Sequence, residues 1–249
     1  MRTGPLPWLE PIIAHRGASG VAPENTLAAI RRAGELGARW VEVDVRRTAS
    51  GDLVLMHDAS LERTTNGTGL VSETSYEKMA MLDAGGWFSP DFAGEPVPRL
   101  DAFLALCSEL GLAANIEIKA ETEEDAVGHA VGEALREGWP STLPPPLVSS
   151  DSPTVLRATA QAAPDFPRGL IVNHVPNQAL LSEHAWGCVS VHANNVFLTK
   201  TQTAFLLANG YAVLVYTVNE PERAKTLFGW GVSAIFTDHP DPARWQNSL

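Results

Sequence analysis

The sequence predicts an α/β protein, a (β/α)₈ TIM barrel, on three observations. Short apolar segments recur along the 249 residues, amphipathic stretches alternate with them, and the length suits a closed barrel, a fold that typically uses about 250 residues as one domain. Strands are expected at 12–15, 40–45, 114–118, 147–150, 169–172, 188–192, 213–217 and 234–237, eight in all. Helical patterns occupy 26–36, 100–110, 123–136, 153–161, 201–208 and 221–228. Several open on the Asn, Thr, Ser or Pro that helix starts favour. Eight strands with helices between them point to a closed barrel rather than an open sheet.

The first strand ends in Ala14-His15-Arg16-Gly17, which puts His15 and Arg16 at the rim where barrel enzymes carry their active sites. The second reads Trp40-Val41-Glu42-Val43-Asp44-Val45. Side chains alternate along a strand, so Glu42 and Asp44 share one face and the three valines the other. Burial sets the register: the valines suit the face under the helices and the acids the interior. The next barrel strand repeats the device in Asn115-Ile116-Glu117-Ile118-Lys119, with Glu117 and Lys119 on one face.

Residues 46–98 break the alternation. A turn at Ser50-Gly51-Asp52 leads to an extra strand at 53–56 that delivers His57-Asp58, and a Gly-, Thr- and Pro-rich stretch follows, too long for an ordinary connection. The expectation is one domain over 1–249 with an insertion at about 58–98 over the barrel mouth, after the second strand. The Pro-rich stretch 139–146 reads as a stiff loop, because a strand follows at once.

Composition excludes several classes. A net charge of −11 gives no footprint for nucleic acid and opposes stable association with anionic membranes. No apolar run reaches membrane-span length, and the first residues lack a secretory pattern. Cys107 and Cys188 lie far apart without a CxxC partner, which suggests buried free thiols and a cytoplasmic location. A phosphate-bearing ligand would be held by local cations.

Adjacent buried carboxylates cannot all stay ionised without a compensating cation. Oxygen-only ligands at Glu42, Asp44 and Glu117 favour one hard divalent ion, Mg²⁺, Ca²⁺ or Mn²⁺, over zinc. The alternative is that the acids are core residues neutralised by Arg16 or Lys119. His15 and His57, beside such a cage, suit proton transfer to and from a nucleophile and a leaving alkoxide. Arg16, planar and always charged, suits a phosphoryl oxygen. His129, His174, His184 and His239 are read as structural.

These segments resemble, in order and spacing, the glycerophosphodiester phosphodiesterases. The resemblance is carried by His15-Arg16-Gly17 with Pro23-Glu24-Asn25-Thr26, Glu42-Val43-Asp44, His57-Asp58, Asp83-Ala84-Gly85-Gly86-Trp87-Phe88, Glu95-Pro96-Val97-Pro98, Glu117-Ile118-Lys119 and Tyr216-Thr217-Val218-Asn219, over roughly 12–240. It implies metal binding by Glu42, Asp44 and Glu117, and an acid–base pair in His15 and His57. It also implies phosphate contacts from Arg16 and Lys119, and substrate contacts from Tyr216 and Asn219. Tyr216 stands where the family usually has Trp, and the segment around His192 is looser than the family pattern. The implied reaction is metal-dependent hydrolysis of a glycerophosphodiester to sn-glycerol 3-phosphate and an alcohol. Two rivals are a phospholipase-D-like action on lysophospholipids, with Trp87, Phe88 and Phe92 lining an acyl channel, and a non-catalytic binding barrel.

Overall fold

A computed structural model describes residues 6–248. The strands are β1 (Ile12–Ala14), β2 (Trp40–Arg47), β3 (Leu53–Leu55), β4 (Ala113–Ile118), β5 (Leu147–Ser150), β6 (Arg168–Val172), β7 (Ser190–Asn194), β8 (Ala212–Tyr216) and β9 (Ala234–Thr237). All pair in parallel except β3, which runs antiparallel to β2 with Val45 opposite Leu55. The order β1-β9-β8-β7-β6-β5-β4-β2, closed by β1 on β2, makes an eight-stranded parallel barrel with β3 outside it.

The helices are α1 (Leu27–Glu35), α2 (Tyr76–Met79), α3 (Leu100–Leu110), α4 (Glu124–Gly138), α5 (Pro153–Ala162), α6 (Gln178–His184), α7 (Lys200–Ala208), α8 (Pro221–Gly229) and α9 (Pro242–Trp245). Their starts follow from side-chain capping. Thr26 accepts from Ala29 N, Ser152 from Val155 N and Asn177 from Leu180 N, and Thr199 with Gln202 forms a reciprocal capping box. Each satisfies backbone donors that a helix end leaves without partners.

The alternation read in β2 holds. Val41, Val43 and Val45 pack with Phe103, Leu104 and Cys107 of α3 and with Ile116 and Ile118 of β4. Glu42 and Asp44 are buried on the other face. At the opposite end from the strand C-termini, Leu6, Leu9, Ile13, Trp40, Leu147 and Leu214 form a separate apolar cluster, and Trp8 stacks on Trp40 at 5.4 Å. That cluster lies at the barrel floor, and the cavity that holds the acids opens at the other rim.

Three local expectations are corrected. The sixth barrel strand, β7, begins at Ser190, not 188, because Gly187 turns the chain at φ +70° and Cys188 N bonds Ala185 O within that turn. Cys188 is only partly buried, while Cys107 is buried. The unread α6 spans 7 residues, too short for a periodic apolar pattern to stand out.

The segment between β3 and α3 has its own core, with Met56, Leu61, Val71, Met79, Ala84 and Val97 beside Val54 of β3. It returns beside its start, where Val54 bridges to Arg99 and Leu55 N bonds Pro98 O. Glu95 Oε1 accepts from Ala28 N of α1 at 3.0 Å, and Arg63 pairs with Glu24, so the segment is tied to the barrel at side-chain level. Gly85 lies where the chain folds on itself: a Cβ there would sit 2.0 Å from Phe92 O.

Candidate active site

The register of β2 on β4 places Asp44 opposite Glu117 and Glu42 opposite Asn115. One oxygen each from Glu42, Asp44 and Glu117 lies within 4.8 Å of the others, the only such acidic or His/Cys grouping among the described residues. Asn25 donates to Asp44 Oδ2 at 2.8 Å and accepts from Asp44 N at 3.1 Å, which fixes that carboxylate. Lys119 Nζ contacts Glu117 and lies 3.4 Å from Asp44. Arg16, at φ +54°, donates its backbone N–H to Glu42 Oε2 at 2.9 Å and its guanidinium to Glu24 at 2.7 Å.

The electrostatics are those of a cage short of positive charge. Burial, then the charges of Asp44 and Glu117, push the Glu42 carboxyl well above the usual carboxylate range. Burial and Asp44 likewise push Glu117 up, to about 7. Asp44 is held below its ordinary value by Arg16, Lys119 and the Asn25 hydrogen bond, which outweigh its burial. Glu42 Oε1 is buried with no hydrogen-bond partner. Such an orphaned acceptor costs several kcal/mol in order of magnitude if ionised and unmatched. Three convergent carboxylates with an unmatched oxygen fit a hard divalent cation.

Both site histidines are held by carboxylates through Nδ1. His15 Nδ1 lies 2.7 Å from Asp238 Oδ1, and His57 Nδ1 lies 2.7 Å from Asp58 Oδ1. Asp238 and Asp58 are each held ionised below their usual range by hydrogen bonds, from His15, Asn219 and Ser19 in the first case and from Arg63 and His57 in the second. An ionised carboxylate only accepts, so Nδ1 is the donor in both rings and Nε2 carries the lone pair in the neutral form. Burial, with the nearby Arg16 and Lys119 charges, lowers the pKa of His57 although Asp44 opposes it.

Further anchoring is specific. Arg46, 6% exposed, donates through Nε and Nη2 to the His57 carbonyl at 2.9 and 2.6 Å and through Nη1 to Glu121. Arg63 joins Asp58 to Glu24, which in turn meets Arg16.

His15, Arg16, Glu42, His57, Glu117, Lys119 and Tyr216 line one cavity of about 280 Å³, with Asp151, Ile171, Asn173, His192, Thr217 and Phe236. Asp44 completes the cage below the open surface, at 1% exposure. Asn219 does not line the cavity. Its Nδ2 donates to Asp238 Oδ2 at 2.6 Å and its Oδ1 accepts from Thr237 Oγ1 and Asp238 N, so it holds the partner of His15. Asp238 itself escaped the sequence reading, although a carboxylate one residue past the last strand was the available signal. Trp87, Phe88 and Phe92 pack edge-on against one another at 5.7 and 5.8 Å and do not line the cavity.

The model of the glycerophosphoryl diester phosphodiesterase family matches residues 15–242. A glycerophosphodiester phosphodiesterase of Caldanaerobacter subterraneus subsp. tengcongensis is 34% identical over 235 residues, which cover 92% of this chain and 94% of that one. The structure of a phosphodiesterase from Oleispira antarctica, in complex with its product sn-glycerol-3-phosphate, is 36% identical with a TM-score of 0.91 and covers 97% of each chain. The crystal structure of a glycerophosphodiester phosphodiesterase from Agrobacterium tumefaciens is 29% identical with a TM-score of 0.77, covering 94% of this chain and 98% of that one.

Proposed function

From the premise that the chain belongs to the glycerophosphoryl diester phosphodiesterase family, we propose that this phosphodiesterase hydrolyses a deacylated glycerophosphodiester to sn-glycerol 3-phosphate and an alcohol with a divalent cation bound by Glu42, Asp44 and Glu117. The single observation that carries the reading is one cavity bringing both carboxylate-held histidines, Arg16 and Lys119 to an acidic cage with an orphaned oxygen. The cation is Mg²⁺, Ca²⁺ or Mn²⁺ by donor chemistry. When bound it supplies Lewis-acid neutralisation of the phosphoryl oxygens.

The chain's own residues do the rest. Arg16 and Lys119 take the remaining phosphoryl charge. One Nε2 of the His15/His57 pair accepts the proton of the attacking oxygen, and the other, protonated, gives its proton to the departing alkoxide as the phosphorus–oxygen bond breaks. Asp238 and Asp58 hold each ring and stabilise its cationic form.

A cavity of about 280 Å³ suits a small polar diester, and the insertion's aromatics pack edge-on against one another, which favours this reading over an acyl channel. Among the described residues no helix is long and apolar enough to cross a membrane. We read 1–249 as one barrel domain with the insertion at about 58–98, acting in the cytoplasm on a small-molecule substrate.

The test is product analysis on glycerophosphocholine, glycerophosphoethanolamine and a matching lysophospholipid, with chelator and after addition of each cation. Turnover of the deacylated diesters that chelator abolishes and a cation restores is expected. Full activity in metal-free protein refutes the cage, and a preference for the lysolipid refutes the substrate class.

A further inference from the structure

The cavity is polarised across the barrel. Its cations and its cage come from the ends of β1, β2 and β4, with His57 arriving beyond β3. The wall formed by β5 to β8 contributes Asp151, Ile171, Asn173, His192, Tyr216 and Thr217. On that wall Asp151 is the single charged side chain: His192 is kept neutral by burial, which lowers its pKa to about 3, and burial raises the Tyr216 hydroxyl to about 12.

Asp151 makes no hydrogen bond or ion pair among the described residues, and it is exposed at the rim. An unneutralised carboxylate facing a site for an anionic phosphodiester is unfavourable unless the ligand brings a positive group to it. Tyr216 lines the same cavity within reach of the Asp151 charge, its hydroxyl shared between Val172 O and Asn173 Oδ1 at 3.2 Å each. That hydrogen bonding ties the ring to β6, and an aromatic face beside a carboxylate is the pairing that recognises alkylammonium groups.

We propose that Asp151, with the ring of Tyr216, selects diesters whose alcohol carries an ammonium group, so that the phosphate sits on the cage side and the cationic alcohol runs up the β5–β8 wall. The inference rests on the phosphodiesterase reading above and names its alcohol. Asp151 also stands one residue before Ser152, the N-cap of α5, where an acid stabilises a helix through its dipole. That contribution is blind to which alcohol is bound, so a ratio of substrates separates the two roles.

The experiment measures kcat/KM for glycerophosphocholine, which is cationic in its alcohol, and for bis(glycerol) phosphate, which is neutral there, in wild type and Asp151→Asn. An exposed ion pair with an adjacent aromatic contributes a factor of about 3 to 10, so the choline-to-glycerol ratio should fall by about that factor in the variant. The wild-type ratio should also fall as salt rises from about 20 to about 500 mM, because screening weakens an exposed pair. An unchanged ratio in Asp151→Asn, whether both rates fall together or neither does, overturns the assignment, as does a salt-independent ratio in wild type. If wild type hydrolyses neither diester, the phosphodiesterase reading itself has failed; hydrolysis of both with an unchanged ratio leaves that reading standing and removes only Asp151.

Discussion

His192 offers a sharp test of the barrel interior. It is 1% exposed, its Nε2 lies 3.0 Å from Ser190 Oγ, and its ring faces Phe236 at 5.3 Å. Burial alone lowers its pKa from 6.5 to about 3. The unfolded chain therefore takes up a proton as pH falls through about 6.5, while the folded chain does not until about 3. Stability linked to this ring is complete above the unfolded value and declines below it by about 1.4 kcal/mol per pH unit. Between pH of about 7.5 and about 4.5 the wild type should lose about 2.5–3 kcal/mol that His192→Gln, neutral in both states, keeps. Gln preserves a polar group for Ser190. Urea unfolding followed by circular dichroism at both pH values, in chelator, gives four free energies whose double difference cancels the carboxylates common to both proteins. If wild type and variant lose equal stability on acidification, the ring is not held neutral in the folded barrel.

His15→Ala and His57→Ala should each lower kcat by about 10²–10⁴-fold with much smaller changes in KM, measured by steady-state kinetics. A variant retaining wild-type kcat would remove that ring from proton transfer. Asp238→Asn should lower kcat by about 10- to 100-fold, and Asn219→Ala should act in the same direction but less, since it reaches His15 only through Asp238. Gly85→Ala forces a Cβ to within 2.0 Å of a backbone oxygen. It should destabilise the insertion by about 1–3 kcal/mol, read as faster proteolytic nicking between β3 and α3 with the barrel strands intact.

The barrel was legible because its strands carry two messages at once. In β2 and β4 the acids alternate with valines or isoleucines, so one pattern announces both the helix-facing surface and the cage. Where that double pattern is missing, the reading drifted: nothing local distinguishes Cys188 and Val189 from a strand, and the turn at Gly187 decides the boundary. The cage and both histidines lie at strand ends and could be placed by register. Their partners could not be placed in the same way. His15 and Asp238 are separated by 223 positions and meet only because β9 closes on β1. For Asn219 the resemblance implies a substrate contact. Its hydrogen bonds run to Thr237 and Asp238 at the end of β9, a pairing that strand alternation does not specify.

The insertion's separate apolar core has a bearing on how the enzyme fails. Its cluster around Leu61, Val71 and Met79 shares no residue with the clusters of the barrel wall, yet the chain that builds it carries His57 directly after Met56. Segments with their own small core open with a lower free energy than the body they sit on. On the proposed mechanism, each such excursion would carry His57 away from the site while Glu42, Asp44 and Glu117 stay in place on β2 and β4. The working lifetime of the catalyst on warming is then set by its smallest cooperative unit, and amide exchange across residues 56–98 should forecast loss of turnover better than the melting of the barrel does.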